Sequence, residues 1–464
     1  MSAPHHASLD RDALGLVHST VIGIAGTSPS YSIAATLAAL IAAVGAFAPA
    51  SLLWCGLIMS GIAAAYIRLN RADPDAGAAY AWVSRVFHPG LGFLAGWTVL
   101  VSSVLFMVSA TLPAAQATLL LLEPLLGAAA GANRFAVTAV AIGWMLAVSA
   151  LLATGIRLSG TVQTVLTSVE LALLAAVAFV ALDRHGAAVL ERLTWSSFAL
   201  TQFGPAQFDP ALFAAGAVIS LFFYWGWDVP LNLSEETRRG DTTPGWGVAT
   251  AMLVLITVFV VFAAITLALL GEDEIRDSST NVIFAVADKL FPRPWSYLAV
   301  LAVMLSTVGT LTTAILQFSR TLFAKSRAGA LHPRWARLHP GRRTPHRAML
   351  LIVSLGTLLL LLSLVYPDSD AVMRASVGAI GVQAAFYYGL VGFACAWTCR
   401  RGALKSPLRL LLMVVWPAAS AALFWAAALL NMRNFDAPTA LIAFGGILIG
   451  FVPLAILQRK PGVP

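Results

Sequence analysis

The chain has 464 residues, of which 59% are hydrophobic and only 11% charged, with a formal net charge of +8. That composition excludes an ordinary soluble domain and a disordered chain, and marks an integral membrane protein. The basic excess could suggest a nucleic-acid partner, but its distribution along the chain follows membrane topology instead.

Twelve apolar segments come near or exceed the roughly 20 residues that cross about 30 Å of hydrocarbon. They run over 13–43, 49–69, 91–122, 134–153, 160–182, 211–235, 246–270, 296–325, 347–366, 373–398, 407–429 and 437–457. The first is too long for a signal peptide and lacks a cleavage site. With the N-terminus inside and loops assigned alternately, 21 of the 29 lysines and arginines fall inside and 8 outside. This positive-inside bias places both termini in the cytoplasm.

The first segment is interrupted. Between Ser19 and Ser32 lie Gly23, Gly26, Thr27, Ser28 and Pro29. Pro29 has no amide to donate and disfavours helix at Ser28, while glycines are poor helix formers. In lipid a broken backbone is tolerated only where it faces protein or a water-filled cavity, and transporters build midplane sites from such breaks. A packing-softened kink would carry the same residues, but the chain contains a second break in a matching position.

After the second segment comes Pro74-Asp-Ala-Gly77-Ala78-Ala-Tyr80, followed by Gly96-Trp97. By its residues this is an amphipathic cytoplasmic piece with aromatics at the membrane boundary. Segment five carries Glu170 about eleven residues into its helix, near the midplane. An ionisable group there costs at least a few kcal/mol unless protonated, paired or hydrated. A protonated glutamic acid bonded to a neighbouring helix would serve packing alone.

The second break reads Phe222-Phe-Tyr224-Trp225-Gly226-Trp-Asp228-Val-Pro230, with Glu235 and Glu236 beyond it. It begins roughly 200 residues after the first, as an inverted repeat of about five helices requires. Arg238 and Arg239 follow immediately, so a solvated loop would explain the two glutamates equally well. A short amphipathic helix is expected around Asn281 to Leu290, over an external vestibule. Segment eight carries Ser306, Thr307, Thr310, Thr312 and Thr313, and ends in Arg320-Thr-Leu-Phe-Ala-Lys-Ser-Arg327-Ala328-Gly-Ala-Leu-His-Pro333. Hydroxyls are routine glue between membrane helices. Cys55, Cys395 and Cys399 lie in or at the ends of segments. The pair one turn apart has no histidine or further cysteine beside it, so the three read as apolar fillers, with no metal site and no cofactor.

Four of these stretches together resemble the permeases of the amino acid–polyamine–organocation (APC) superfamily, over helices one to ten. The Pro-x-x-Gly-Gly-x-Tyr … Gly-Trp pattern matches at Pro74, Gly77, Tyr80, Gly96 and Trp97, with Ala78 replacing its second glycine. Ala328 replaces the aspartate of an Arg-Asp-Gly run, so a salt bridge made there in relatives is absent or rebuilt.

The resemblance implies an all-α, twelve-helix transporter with two inverted five-helix repeats and discontinuous helices one and six. The repeats would cover 13–182 and 211–398. A tail over 1–12, two peripheral helices over 407–457 and a tail over 458–464 complete the chain.

It further implies a secondary active permease of the cytoplasmic membrane, not an enzyme. Its partners would be the bilayer, a small substrate and a coupling proton or Na⁺. An α-amino acid would set its carboxylate on the amides near Gly23 and Gly26 to Ser28, where the helix dipole favours an anion. Phe222 falls at the outer gating aromatic and Asp228 at the acidic or amide position after the glycine. Glu170 stands where the family often has a lysine, near the cation region that the hydroxyls of Ser306 and Thr307 would line. An amine substrate would instead use Glu170, Asp228 and the faces of Phe222, Tyr224 and Trp225. The amino acid is the reading taken, with the amine as its alternative. A channel or nutrient sensor with a transporter body is the reading from another class. No histidine–acid or cysteine–histidine grouping at a membrane face supports a membrane enzyme.

Overall fold

The computed structural model describes residues 8–127, 129–193, 210–278, 281–365 and 369–458. Among these the chain is helical throughout, and its one β contact is an isolated parallel bridge between Leu14 and Thr237. Ten stretches are long and apolar enough to cross a membrane. Helices satisfy every backbone group internally, which is what a chain of this composition requires in lipid.

The first of these stretches, Leu16–Ala72, contains α1 (Leu16–Thr27), α2 (Pro29–Val44) and α3 (Ala48–Ala72). A short α4 (Ala79–Val86) leads into α5 (Pro89–Leu121), α6 (Arg134–Ala153) and α7 (Ile156–Glu191). The second interrupted segment begins as α8 (Pro210–Phe223), too short to count among the ten, and resumes as α9 (Val229–Asn232). Then follow α10 (Thr243–Leu269), the short α11 (Val282–Leu290), α12 (Tyr297–Arg327), α13 (His346–Ser363) and α14 (Ser369–Ala403). The last two crossing stretches are Pro407–Asn431 and Ala437–Ile456.

Segment five differs from its expected bounds. The helix continues nine residues past 182, through a kink at His185 (φ −131°, ψ 22°), because Ala187 to Leu190 are helix-compatible. The mixed loop expected from Asp183 therefore starts later, and most of it (194–209) lies outside the described residues. His5 and His6 also lie outside them.

The centre belongs to α12 and α14, whose most apolar windows are 78% and 83% buried. The final stretch, Ala437–Ile456, is 17% buried and sits at the edge. α12 packs along α5 and touches α1, α7 and α9, while α1 lies against α10 and α8 against α2. Its buried side chains include Ser306, Thr310, Gln317, Arg320 and Lys325. A helix this polar is affordable in a membrane only with protein on all sides, since each group needs a partner.

The first residues of the described tail are not free. Leu9 and Leu14 are each 1% exposed. Backbone bonds tie Ala13 and Leu14 to the Glu236 carbonyl, and Arg238 N–H to the Leu14 carbonyl. Glu236, which a solvated loop would leave in water, is fully buried and grips Arg320 through two bonds of 2.8 and 2.9 Å. Such a planar two-point pair is the geometry in which a buried charge is best satisfied.

Candidate functional site

At the first break only Ser28 leaves helical geometry, in the left-handed region (φ 52°, ψ 66°). Pro29 then opens α2, where a missing amide does no harm and its fixed φ suits the first turn. The interruption is thus shorter than the expected Gly23-to-Pro29 gap, because Gly23, Gly26 and Thr27 all remain in α1. The glycines answer to packing. A Cβ on Gly23 would meet Ala251 at 3.0 Å, and one on Gly26 would run into the Gly226 carbonyl. Thr27 Oγ1 donates to the Ile24 carbonyl at 2.8 Å, and its own carbonyl accepts from Ser32 Oγ at 2.7 Å.

The amides around this break are all engaged. Ser28 N–H donates to the Ala25 carbonyl at 3.1 Å and Ser32 N–H to the Ser28 carbonyl at 2.8 Å. Ser30 N–H donates to Glu170 Oε1 at 3.0 Å. Tyr31 N–H donates to Ser306 Oγ at 3.4 Å, and Ser306 Oγ also lies 3.0 Å from Ser28 Oγ. Glu170 and Ser306, expected near a cation, are therefore held together at the start of α2. Thr307 is not with them. Its hydroxyl donates back to the Val303 carbonyl of its own helix at 2.9 Å. Thr310, one turn beyond Ser306 on the same face, takes the place, donating to the Ala25 carbonyl of α1 at 2.6 Å. Sequence reasoning noted Thr310 but did not select it; the four-residue step from Ser306 was the available signal.

At the second break five residues, 224–228, turn between α8 and α9, with Gly226 at φ +98°. Phe222 remains in α8, so this gap also opens later than expected. Gly226 packs its backbone onto Gly26, and the two breaks meet directly. Asp228, 1% exposed, accepts from Tyr388 Oη at 2.8 Å and from Gln317 Nε2 at 2.9 Å. The same Tyr388 hydroxyl receives Gly226 N–H at 3.3 Å. Gln317 Oε1 is buried without a partner among the described residues. No lysine, arginine or histidine forms an ion pair with Glu170 or Asp228 among the described residues. Gln317 and Tyr388 were not singled out as site residues, since nothing local in the sequence links them to Asp228.

The aromatics divide. Phe222 stands edge-on to Tyr31 at 6.3 Å and near Phe106, and Trp225 lies 4.9 Å from Phe106. Tyr31, Phe106, Phe222 and Trp225 thus form one aromatic cluster at the start of α2. Tyr224 faces elsewhere, its hydroxyl bonded to the Leu52 carbonyl at 2.8 Å and its ring against Phe259.

Beyond α9 a charged network ties the end of α12 to the segment before α4. Arg327 binds Glu235 through bonds of 2.6 and 2.7 Å and reaches Asp75 at 3.6 Å. Burial pushes the Glu235 carboxyl up, but Arg327, the Ala76 amide and Arg11 outweigh it and hold it below the usual range. Asp75 is held above that range by burial, although the Gly77 amide and Arg327 oppose it. Arg327, beside Ala328, thus pairs with two acids from other segments.

The sequence profile of the amino acid permease family matches residues 12–452. A branched-chain amino acid permease of Lactococcus lactis is 26% identical over 293 residues, 61% of each chain. This chain thus spans about three fifths of that relative's length. A low-affinity putrescine importer of Escherichia coli is 27% identical over 338 residues, 70% of this chain and 68% of the importer. An uncharacterized transporter of Mycobacterium tuberculosis is 27% identical over 387 residues, 82% of this chain and 79% of its own. With a profile match across nearly its whole length, the chain belongs to the amino acid permease family.

Proposed function

We propose that the chain is a secondary active transporter that moves an amino-group-bearing substrate across the cytoplasmic membrane by alternating access. Ten of twelve helices would form two inverted five-helix repeats, 13–182 and 211–398, with two peripheral helices over 407–457 and both termini in the cytoplasm. The family's substrates favour an amino acid, and an amine is the second reading. The observation that carries the proposal is the meeting of the two breaks at Gly26 and Gly226, with Glu170 bound to one and Asp228 within the other. Irregular backbone buried against protein at this depth is how transporters make a midplane site. Purified protein in proteoliposomes should concentrate such a substrate against its gradient. A channel or sensor would only equilibrate it or leave it outside.

Coupling is assigned to a proton on Glu170. A carboxyl can accept from Ser30 N–H in either protonation state, and no basic side chain pairs with it among the described residues. Ser306 Oγ beside this seat is already engaged by Tyr31 N–H and Ser28 Oγ, and a Na⁺ would need several such oxygens freed at once. Glu170→Gln keeps the shape and removes the titration. It should abolish accumulation driven by a pH gradient while leaving substrate exchange partly intact. Wild-type accumulation by Glu170→Gln on a pH gradient would remove the proton from Glu170, and dependence on a Na⁺ gradient would replace it.

A further inference from the structure

A helix N-terminus holds anions through its free amides and dipole. α2 has none left to offer. Pro29 lacks an amide, Ser30 N–H goes to Glu170, Tyr31 N–H to Ser306 and Ser32 N–H to the Ser28 carbonyl. The chain's own fully buried carboxylate holds the position in which an anionic guest would be bound. A second carboxylate beside Glu170 would find no unengaged donor of this turn, and would meet a like charge whenever Glu170 has released its proton; both penalties are larger away from water.

The other break has the opposite character. Among the described residues Asp228 has two neutral side-chain donors, Tyr388 and Gln317, and the buried Gln317 Oε1 beside it accepts nothing. That is an acceptor-rich place with no cation of its own. Buried acceptors of this kind are satisfied by a donor-bearing, positively charged group.

We propose that Glu170 sets the substrate class: by filling the anion seat of α2 it excludes an α-carboxylate, so the chain carries organic ammonium ions without one. The ammonium is received by Asp228 and Gln317 Oε1. This rests on the transport reading above and narrows it.

Matched pairs test it, each an amino acid and its own decarboxylated amine: leucine with isoamylamine, ornithine with putrescine, lysine with cadaverine. Counterflow in proteoliposomes of the full chain should exchange the amine of at least one pair about tenfold faster than its amino acid, or better. Glu170→Ala empties the seat, and the ratio should then fall about tenfold towards the amino acid. Equal or faster exchange of the amino acids by the wild-type protein overturns the proposal without any variant. So does an unchanged ratio in Glu170→Ala that elutes as a folded protein. Exchange of neither member of any pair overturns the transport reading itself, a failure distinct from amino acids being accepted.

Discussion

At the first break one residue departs from helical geometry, whereas at the second five residues separate α8 from α9. The difference follows from what flanks each gap. Pro29 can begin a helix at once, so α2 resumes directly after Ser28. Gly226 at φ +98° turns the chain, and α9 then lasts only four residues. The first break consequently has its donors engaged, by Glu170, Ser306 and its own carbonyls. The second presents a carboxylate and an unpartnered amide oxygen. The two interruptions thus differ in chemistry, one with its donors engaged and one with acceptors turned inward.

The contact between the halves is the most sensitive place to break. A Cβ at Gly26 would strike the Gly226 carbonyl, and one at Gly226 would strike Gly26 and be strained by its positive φ. Gly26→Ala and Gly226→Ala should each abolish transport and lower stability by about 3 kcal/mol. Gly23→Ala, facing the Ala251 side chain at 3.0 Å, should be milder. Thermal unfolding in detergent and counterflow measure both effects. Wild-type transport in Gly26→Ala would show that the two breaks need not touch.

Asp228→Asn addresses the acceptor half. It preserves size and leaves Tyr388 and Gln317 in place, but replaces one acceptor by a donor. Transport should fall by about a hundredfold, because a site built from acceptors is left with an unpaired group. A loss smaller than about threefold would move substrate recognition away from Asp228.

Much of this was legible in the residues. Pro29 and Gly226 are strong punctuators, so both breaks could be located from local chemistry, and Glu170 stood out as an acid deep in an apolar helix. Their lengths were less legible, since whether Gly23 and Gly26 break α1 or merely pack depends on what lies across from them. The partners of Asp228 were out of reach for the same reason. Gln317 is 89 residues away and Tyr388 is 160 residues away, joined only by tertiary structure. The ending of segment five failed on a boundary, where helix-compatible Ala187 to Leu190 carry the helix past the apolar stretch.

Phe222 offers a smaller effect on the wall of the same region. It stacks edge-on to Tyr31 and beside Phe106. Phe222→Ala should weaken substrate retention by about tenfold while expression stays near wild type, and Phe222→Leu should recover part of the loss. Unchanged affinity in Phe222→Ala would leave the aromatic cluster as packing only.

The smallest effect tests the turn before α4, where Ala78 stands in place of the second glycine of the pattern this stretch resembles. Ala78 adopts φ 40° with ψ −112°. That geometry suits glycine and strains a residue with a Cβ by about 1–2 kcal/mol. The strain is sustained because neighbours fix the turn: Ala78 N–H bonds the Asp75 carbonyl, Gly77 N–H bonds Asp75 Oδ1, and Arg85 and Arg327 hold Asp75. Ala78→Gly relieves the strain but loses one buried methyl, worth about 0.8 kcal/mol, and loosens the unfolded chain by up to about 1 kcal/mol. These terms nearly cancel. Stability should therefore change by less than about 1 kcal/mol, whereas alanine-to-glycine at the unstrained, buried Ala81 of α4 should lose more than that. Unfolding midpoints of the two variants in detergent decide it. Equal losses at both positions would mean that Ala78 carries no strain and that the departure from glycine is without consequence for this turn.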